Sequence, residues 1–111
     1  MITAQRGATP TLLFDEVDVG IGGATAMKVG QRLRELGGRR QIFCVTHQPQ
    51  VAACAHHHFM VSKFSKDQET FSSIAYLNQE GRIGEIARML GGLAITEQTK
   101  NNAKELLNIA D

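Results

Sequence analysis

Two adjacent carboxylates, Asp15 and Glu16, stand at the end of the short apolar run Leu12-Leu13-Phe14. The glycine-rich stretch Val19-Gly20-Ile21-Gly22-Gly23 follows closely. An apolar run of this kind reads as a buried strand. Acids at its C-terminal end lie where open α/β sheets place their ligands. One carboxylate there can hold Mg²⁺ through its water shell while its neighbour polarises an attacking water. Taken alone, adjacent acids after a strand are ordinary solvated loop residues. The glycine-rich turn and a second landmark, Cys44-Val45-Thr46-His47-Gln48-Pro49-Gln50, favour chemistry instead.

His47 closes a second apolar run, Ile42-Phe43-Cys44-Val45. A lone histidine at a strand end is usually structural. If its strand lies parallel to the Asp15 strand, the imidazole shares that sheet edge and can donate a hydrogen bond to a γ-phosphate oxygen. Gly20, Gly22 and Gly23 permit a tight turn, and equally a loop that lies flat against a nucleotide. The run Cys54-Ala55-His56-His57-His58 has metal-ligand residue types, and strand alternation would put His56 and His58 on one face. No second ligand cluster occurs elsewhere, so a surface histidine cluster is the preferred reading.

The elements that must position these groups follow from pattern. Residues 11–15 read as a strand, 24–36 as a helix with Ala26, Val29, Gly30, Leu33 and Leu36 on one face, and 41–46 as a second strand. Strand, helix and strand over this length form a βαβ unit, with parallel strands and a right-handed crossover. Pro49 opens a short helix through about Ala55. Residues 58–63 and 70–77 alternate as strands, joined by a polar connection over 63–69. Residues 82–90 read as a helix, and Thr96 caps a last helix with the stripe Ala103, Leu106, Leu107 and Ala110. Residues 1–6 read as the last turns of a helix closed by Gly7.

With 111 residues the chain suits one small domain with a modest core. A formal charge of +1 gives no electrostatic argument for nucleic acid, a membrane surface or an acidic substrate. Cys44 and Cys54 have no redox or metal spacing, and no signal peptide or membrane-spanning run occurs, which suggests a cytoplasmic chain with reduced thiols. No G-x-x-x-x-G-K-[ST] loop is present, so the phosphates lack a backbone cradle and this polypeptide alone is not expected to hydrolyse ATP.

The run Thr11 to Gly23 together with Cys44 to Ala52 resembles the ABC-type ATPase heads of the SMC-like class. Val61-Ser62-Lys63, Ala87-Arg88-Met89-Leu90-Gly91-Gly92 and Asn102 to Leu107 extend the resemblance over nearly the whole chain. Asp-Glu alone is a weak signal; the Asp-Glu-Val-Asp-Val-Gly-Ile run with Val-Thr-His-x-Pro-Gln-Val is specific. The fold implied is α/β, a partial P-loop NTPase of the ABC/SMC type with parallel strands, a crossover helix and C-terminal helices. By the same resemblance Asp15 is the Walker B aspartate serving Mg²⁺ through water, Glu16 the catalytic base, residues 19–22 the D-loop and His47 the H-loop histidine. Gly22 stands where many ABC proteins carry the D-loop aspartate, a departure that bears on coupling between subunits. The ligands implied are ATP and Mg²⁺. The partners implied are the rest of the same head, a second head and DNA, with a role in recombinational repair of double-strand breaks near the nucleoid and no membrane association.

On this resemblance the chain covers only the C-terminal part of a head, with the P-loop, Q-loop, signature motif and coiled coil upstream. In such sheets the strand leading into the P-loop lies beside the H-loop strand. Residues 41–46 are then expected to border an empty slot, with 58–63 beyond it. The slot is expected to close by a rearranged strand or, preferably, by association of chains. A transporter-type ABC ATPase and a non-catalytic interaction module are the alternatives. Val17-Asp18, in place of the Pro-Thr of transporter subunits, favours the SMC-like side.

Overall fold

The computed structural model describes residues 2–3, 11–15, 20–91 and 94–110. Its elements are β1 (Ile2–Thr3), β2 (Thr11–Asp15), α1 (Gly23–Gly37), β3 (Gln41–Val45), α2 (Pro49–Ala52), β4 (Phe59–Lys66), β5 (Glu69–Tyr76), α3 (Gln79–Gly91) and α4 (Glu97–Ala110). The expected βαβ unit is present. β2 and β3 are parallel neighbours, with Thr11 opposite Gln41 and Asp15 opposite Val45, and α1 forms the crossover.

Several expectations need correction. Ile2 and Thr3 are a strand, antiparallel to β2, and not the end of a helix. The sheet order is β1-β2-β3, so β3 is an edge strand among the described residues. β4 pairs with β5 in a separate sheet and does not lie beyond a gap beside β3. The expected rearranged strand closing that edge is not found among the described residues. The supposed connection over 63–69 is largely strand: only Asp67 and Gln68 turn, with φ of 52° and 66°. Two consecutive left-handed residues are the signature of a two-residue hairpin turn, and Asp tolerates that conformation. The polar strand ends were hidden from pattern reading because this hairpin is solvent-exposed and has no core to impose alternation.

The core lies on the helical side. Ala52, Ala53, Cys54, Ile86, Ala87, Ala103, Leu107 and Ala110 form one buried cluster from α2 and the turn after it, α3 and α4, with Met27, Ile83, Met89 and Leu106 packed against it. α1 joins through Gly30: a Cβ there would lie 2.7 Å from Cys54 Sγ and 3.1 Å from Val51 Cα. Only a glycine lets the two backbones approach so closely. Two arginines tie down the carbonyl end of α2, whose last groups have no intrahelical partner. Arg82 donates to the carbonyls of Ala52, Ala53 and Ala55, and Arg34 to that of Cys54 at 2.8 Å. α3 begins three residues earlier than the apolar pattern suggested, because its first turn is polar. At α4 the cap is reciprocal: Thr99 N–H donates to Thr96 Oγ1 at 3.1 Å, and Thr96 N–H to Thr99 Oγ1 at 2.8 Å. Among the described residues no helix is long and apolar enough to cross a membrane.

Candidate functional site

The parallel pairing brings the two landmarks to one edge. Asp15 ends β2 directly opposite Val45, and His47 follows two residues later. Both side chains are exposed. Glu16 and Val19 lie outside the described residues. A carboxylate at an open strand end is a hard oxygen donor of the kind Mg²⁺ accepts, since that ion keeps several waters and takes one or two carboxylates besides phosphate oxygens. The exposed Asp15 fits that role.

The turn after β3 is built from its own sequence. Gln48 N–H donates to Thr46 Oγ1 at 3.0 Å, which turns the chain at His47, and Pro49 then starts α2. Pro49 and Val51 are buried, so the His47 loop is anchored directly to the core.

The glycine loop is tied to the same turn. Gln48 Nε2 donates to the Ile21 carbonyl at 3.2 Å. A Cβ on Gly23 would come within 3.1 Å of Gln50 Nε2. Gly20 has φ of +80°, a conformation that requires glycine in practice. Among the described residues, a Cβ on Gly20 or Gly22 would meet nothing within 4 Å. The two glutamines were quoted in the sequence motif without a role; Gln48 ties the loop to the histidine turn, and Gln50 lies beside Gly23. Their polarity beside a buried Pro49-Val51 pair was the available signal.

The histidine cluster separates. Residues 56–58 precede β4 in a bend, so strand alternation does not apply to them. His56 lies against Gly37, His57 Nδ1 is 3.0 Å from Tyr76 Oη, and His58 is half-buried. Burial, reinforced by Arg82 and opposed by Glu85, pushes the His58 pKa down. Cys54 is not on a helix but in the turn after α2; it is buried and donates to the Gln50 carbonyl at 3.3 Å. Burial, partly offset by Arg34, pushes its thiol pKa up, which keeps it in the inert protonated form. Among the described residues no group of three potential ligands could hold a metal ion.

A shallow groove of about 310 Å³, lined by Gln50, Leu90, Asn102, Glu105, Leu106 and Ile109, includes neither Asp15 nor His47. Asp15 and His47 stand exposed at the end of the β2–β3 pair.

Comparison with known proteins decides the family resemblance. The chain is 57% identical over 107 residues to the DNA repair protein RecN of Vibrio cholerae serotype O1. It is 50% identical over 109 residues to RecN of Haemophilus influenzae and 48% identical over 105 residues to RecN of Deinococcus radiodurans. This chain is RecN-like along nearly its whole length. The matches cover 95–98% of the chain and correspond to the C-terminal part of RecN. The chain spans about a fifth of the length of these curated relatives. No protein-family model matches it.

The fold has a solved counterpart in work on ATP-driven dimerization and DNA-stimulated activation of SMC ATPases. The TM-score is 0.59 at 18% identity, over 76% of this chain and 50% of the other. The RecN-like segment thus has the α/β fold of an SMC-type ATPase, with its parallel strand pair and helices.

Proposed function

We propose that Asp15, Glu16 and His47 form the hydrolytic edge of a RecN-like ATPase head that acts in recombinational repair of DNA double-strand breaks. The observation that carries this reading is the convergence of Asp15 and the His47 turn on one edge of a parallel strand pair, with Gln48 fixing the glycine loop beside them. ATP with Mg²⁺ is the ligand. Asp15 serves the ion through water, and Gly20, Gly22 and Gly23 lie against the nucleotide. Glu16 accepts a proton from the attacking water. His47 donates a hydrogen bond to a γ-phosphate oxygen, where charge redistributes during transfer. The P-loop cradle and its lysine come from outside these 111 residues, which contain no such motif. A second head and DNA are the partners of the complete protein. The names of the relatives and the subject of the solved SMC ATPase support both, and a cytoplasmic, nucleoid-associated location fits that role.

A chimera tests the proposal. This chain replaces the matching segment of Vibrio cholerae RecN, which supplies the P-loop side. The chimera is expected to hydrolyse ATP and to support survival after double-strand breakage. Glu16→Gln keeps nearly the same volume but removes the base, so turnover falls by about 10²–10⁴-fold while ATP binding persists. Turnover within about threefold of the unsubstituted chimera would remove Glu16 from the role.

A further inference from the structure

We propose that Gln48 is a positioning residue for ATP hydrolysis, a role that rests on the ATPase reading above: its side-chain amide locks the glycine loop to the His47 turn, so that nucleotide and histidine meet in one geometry. The run Val-Thr-His-x-Pro-Gln-Val leaves position 48 open, so the resemblance assigns nothing to this residue. The structure fixes its backbone on both sides. Gln48 N–H donates to Thr46 Oγ1 at 3.0 Å across His47. Its carbonyl accepts from Val51 N–H at 3.1 Å and Ala52 N–H at 3.0 Å, in the first turn of α2. Pro49, Val51 and Ala52 are buried, so this joint is seated on the core. The side chain reaches outward from it, and Nε2 donates to the carbonyl of Ile21, 27 residues earlier, at 3.2 Å.

The loop is held from its other end by α1. The Gly22 carbonyl accepts from Ala26 N–H at 2.8 Å, which starts that helix. Ile21 thus lies between a helix start and Gly20, whose φ of +80° uses the freedom of glycine. A backbone beside such a residue has many conformations open to it. A directed hydrogen bond to the Ile21 carbonyl selects one of them. α1 and the α2 region meet again farther along, where Gly30 faces Cys54 and the Val51 backbone. The Gln48–Ile21 bond is a second fixed point of the same pair, placed at the end where Asp15 and His47 stand. His47 lies between Thr46 and Gln48 and moves with this joint. Releasing the loop therefore changes where the glycines meet the nucleotide relative to the histidine. Misplacement of that kind weakens the transition state more than ground-state binding.

The test uses the chimera with Vibrio cholerae RecN. Gln48→Met keeps the length of the side chain and removes the donor. Its kcat is expected to fall roughly three- to tenfold, the worth of one hydrogen bond, while KM for ATP moves by less than about twofold. Backbone amides of residues 20–26 are expected to exchange with solvent faster in this variant. Gln48→Lys restores a donor at similar reach and is expected to recover most of the lost kcat. Gln48→Glu offers the Ile21 carbonyl only another acceptor and is expected to recover none. A merely structural role would lower kcat in all three variants in step with their melting temperatures, and that result overturns the proposal. So does a Gln48→Met chimera whose kcat stays within about twofold of the unsubstituted one, or whose amide exchange over residues 20–26 is unchanged. Failure of the ATPase reading looks different. Glu16→Gln then leaves turnover intact, which removes the role in hydrolysis, while faster exchange in Gln48→Met still marks Gln48 as the residue that holds the loop.

Discussion

Ile86, Ala87 and Ala103 are completely shielded from solvent, whereas Phe43 and Val45 on β3 are half exposed. The helical side of the molecule is closed around a core of mostly small side chains; the described residues of β2 and β3, which carry the candidate site, are mostly exposed or half-buried. Of the described β2 and β3 residues, only Leu12 is buried. The core and the candidate site therefore sit on different elements, linked through the His47 turn, which passes directly into the buried Pro49 and Val51. Under the proposed function, the site groups stand at a surface and not within the core.

Crossing substitutions between the two sides give the sharpest attempt to break that separation. In the RecN chimera, His47→Ala is expected to lower turnover by about 10²-fold or more, as loss of one donor to a developing phosphate charge does. Nucleotide affinity should fall less. The same change in the isolated chain should move stability by no more than about 0.5 kcal/mol, because the side chain is exposed. Ile86→Ala should do the reverse, costing about 2–5 kcal/mol by denaturant unfolding. Equal stability losses at the two positions would show that edge and core are one unit.

A smaller effect probes the seam between α1 and α2. Gly30→Ala places a methyl group 2.7 Å from Cys54 Sγ and 3.1 Å from the Val51 backbone. The sulfur can move, but the backbone cannot without shifting the His47 turn. Overpacking of this kind costs about 1–3 kcal/mol. Gly22→Ala meets nothing within 4 Å and should cost less. Thermal unfolding of the two variants side by side checks the order, and a larger loss at Gly22 would move the critical contact to the glycine loop.

Much of this arrangement was legible in the residues. Leu12-Leu13-Phe14 and Ile42-Phe43-Cys44-Val45 are apolar runs of strand length, and the helix between them has a clear stripe, so the βαβ unit and the shared edge of Asp15 and His47 could be read directly. Local pattern failed where no core imposes a period. The exposed β4–β5 hairpin extends through Lys63 to Lys66, and its turn rests on two left-handed residues that no glycine announces. Ile2–Thr3 was missed because two residues are too few for periodicity to identify a strand, and its pairing is non-local. Arg34 and Arg82 fall outside the apolar stripes from which the helices are read, yet they hold the carbonyl end of α2. Such contacts join residues up to 30 apart and leave no local signature.

The smallest expected effect concerns pH and separates the two sides once more. His58 is half-buried, with Nδ1 shielded from solvent and without a hydrogen-bond partner among the described residues. Burial and the Arg82 guanidinium disfavour its charged form, so its pKa in the folded chain lies below the ordinary 6.5. The unfolded chain therefore binds this proton more readily than the folded one. Stability is retained above pH 6.5 and falls as pH drops below it, until the folded-state pKa is passed. His58→Gln removes the titration and should flatten that slope. Urea unfolding at a series of pH values between neutral and mildly acidic measures the difference. An acid slope that persists undiminished in His58→Gln would remove the half-buried His58 from the effect.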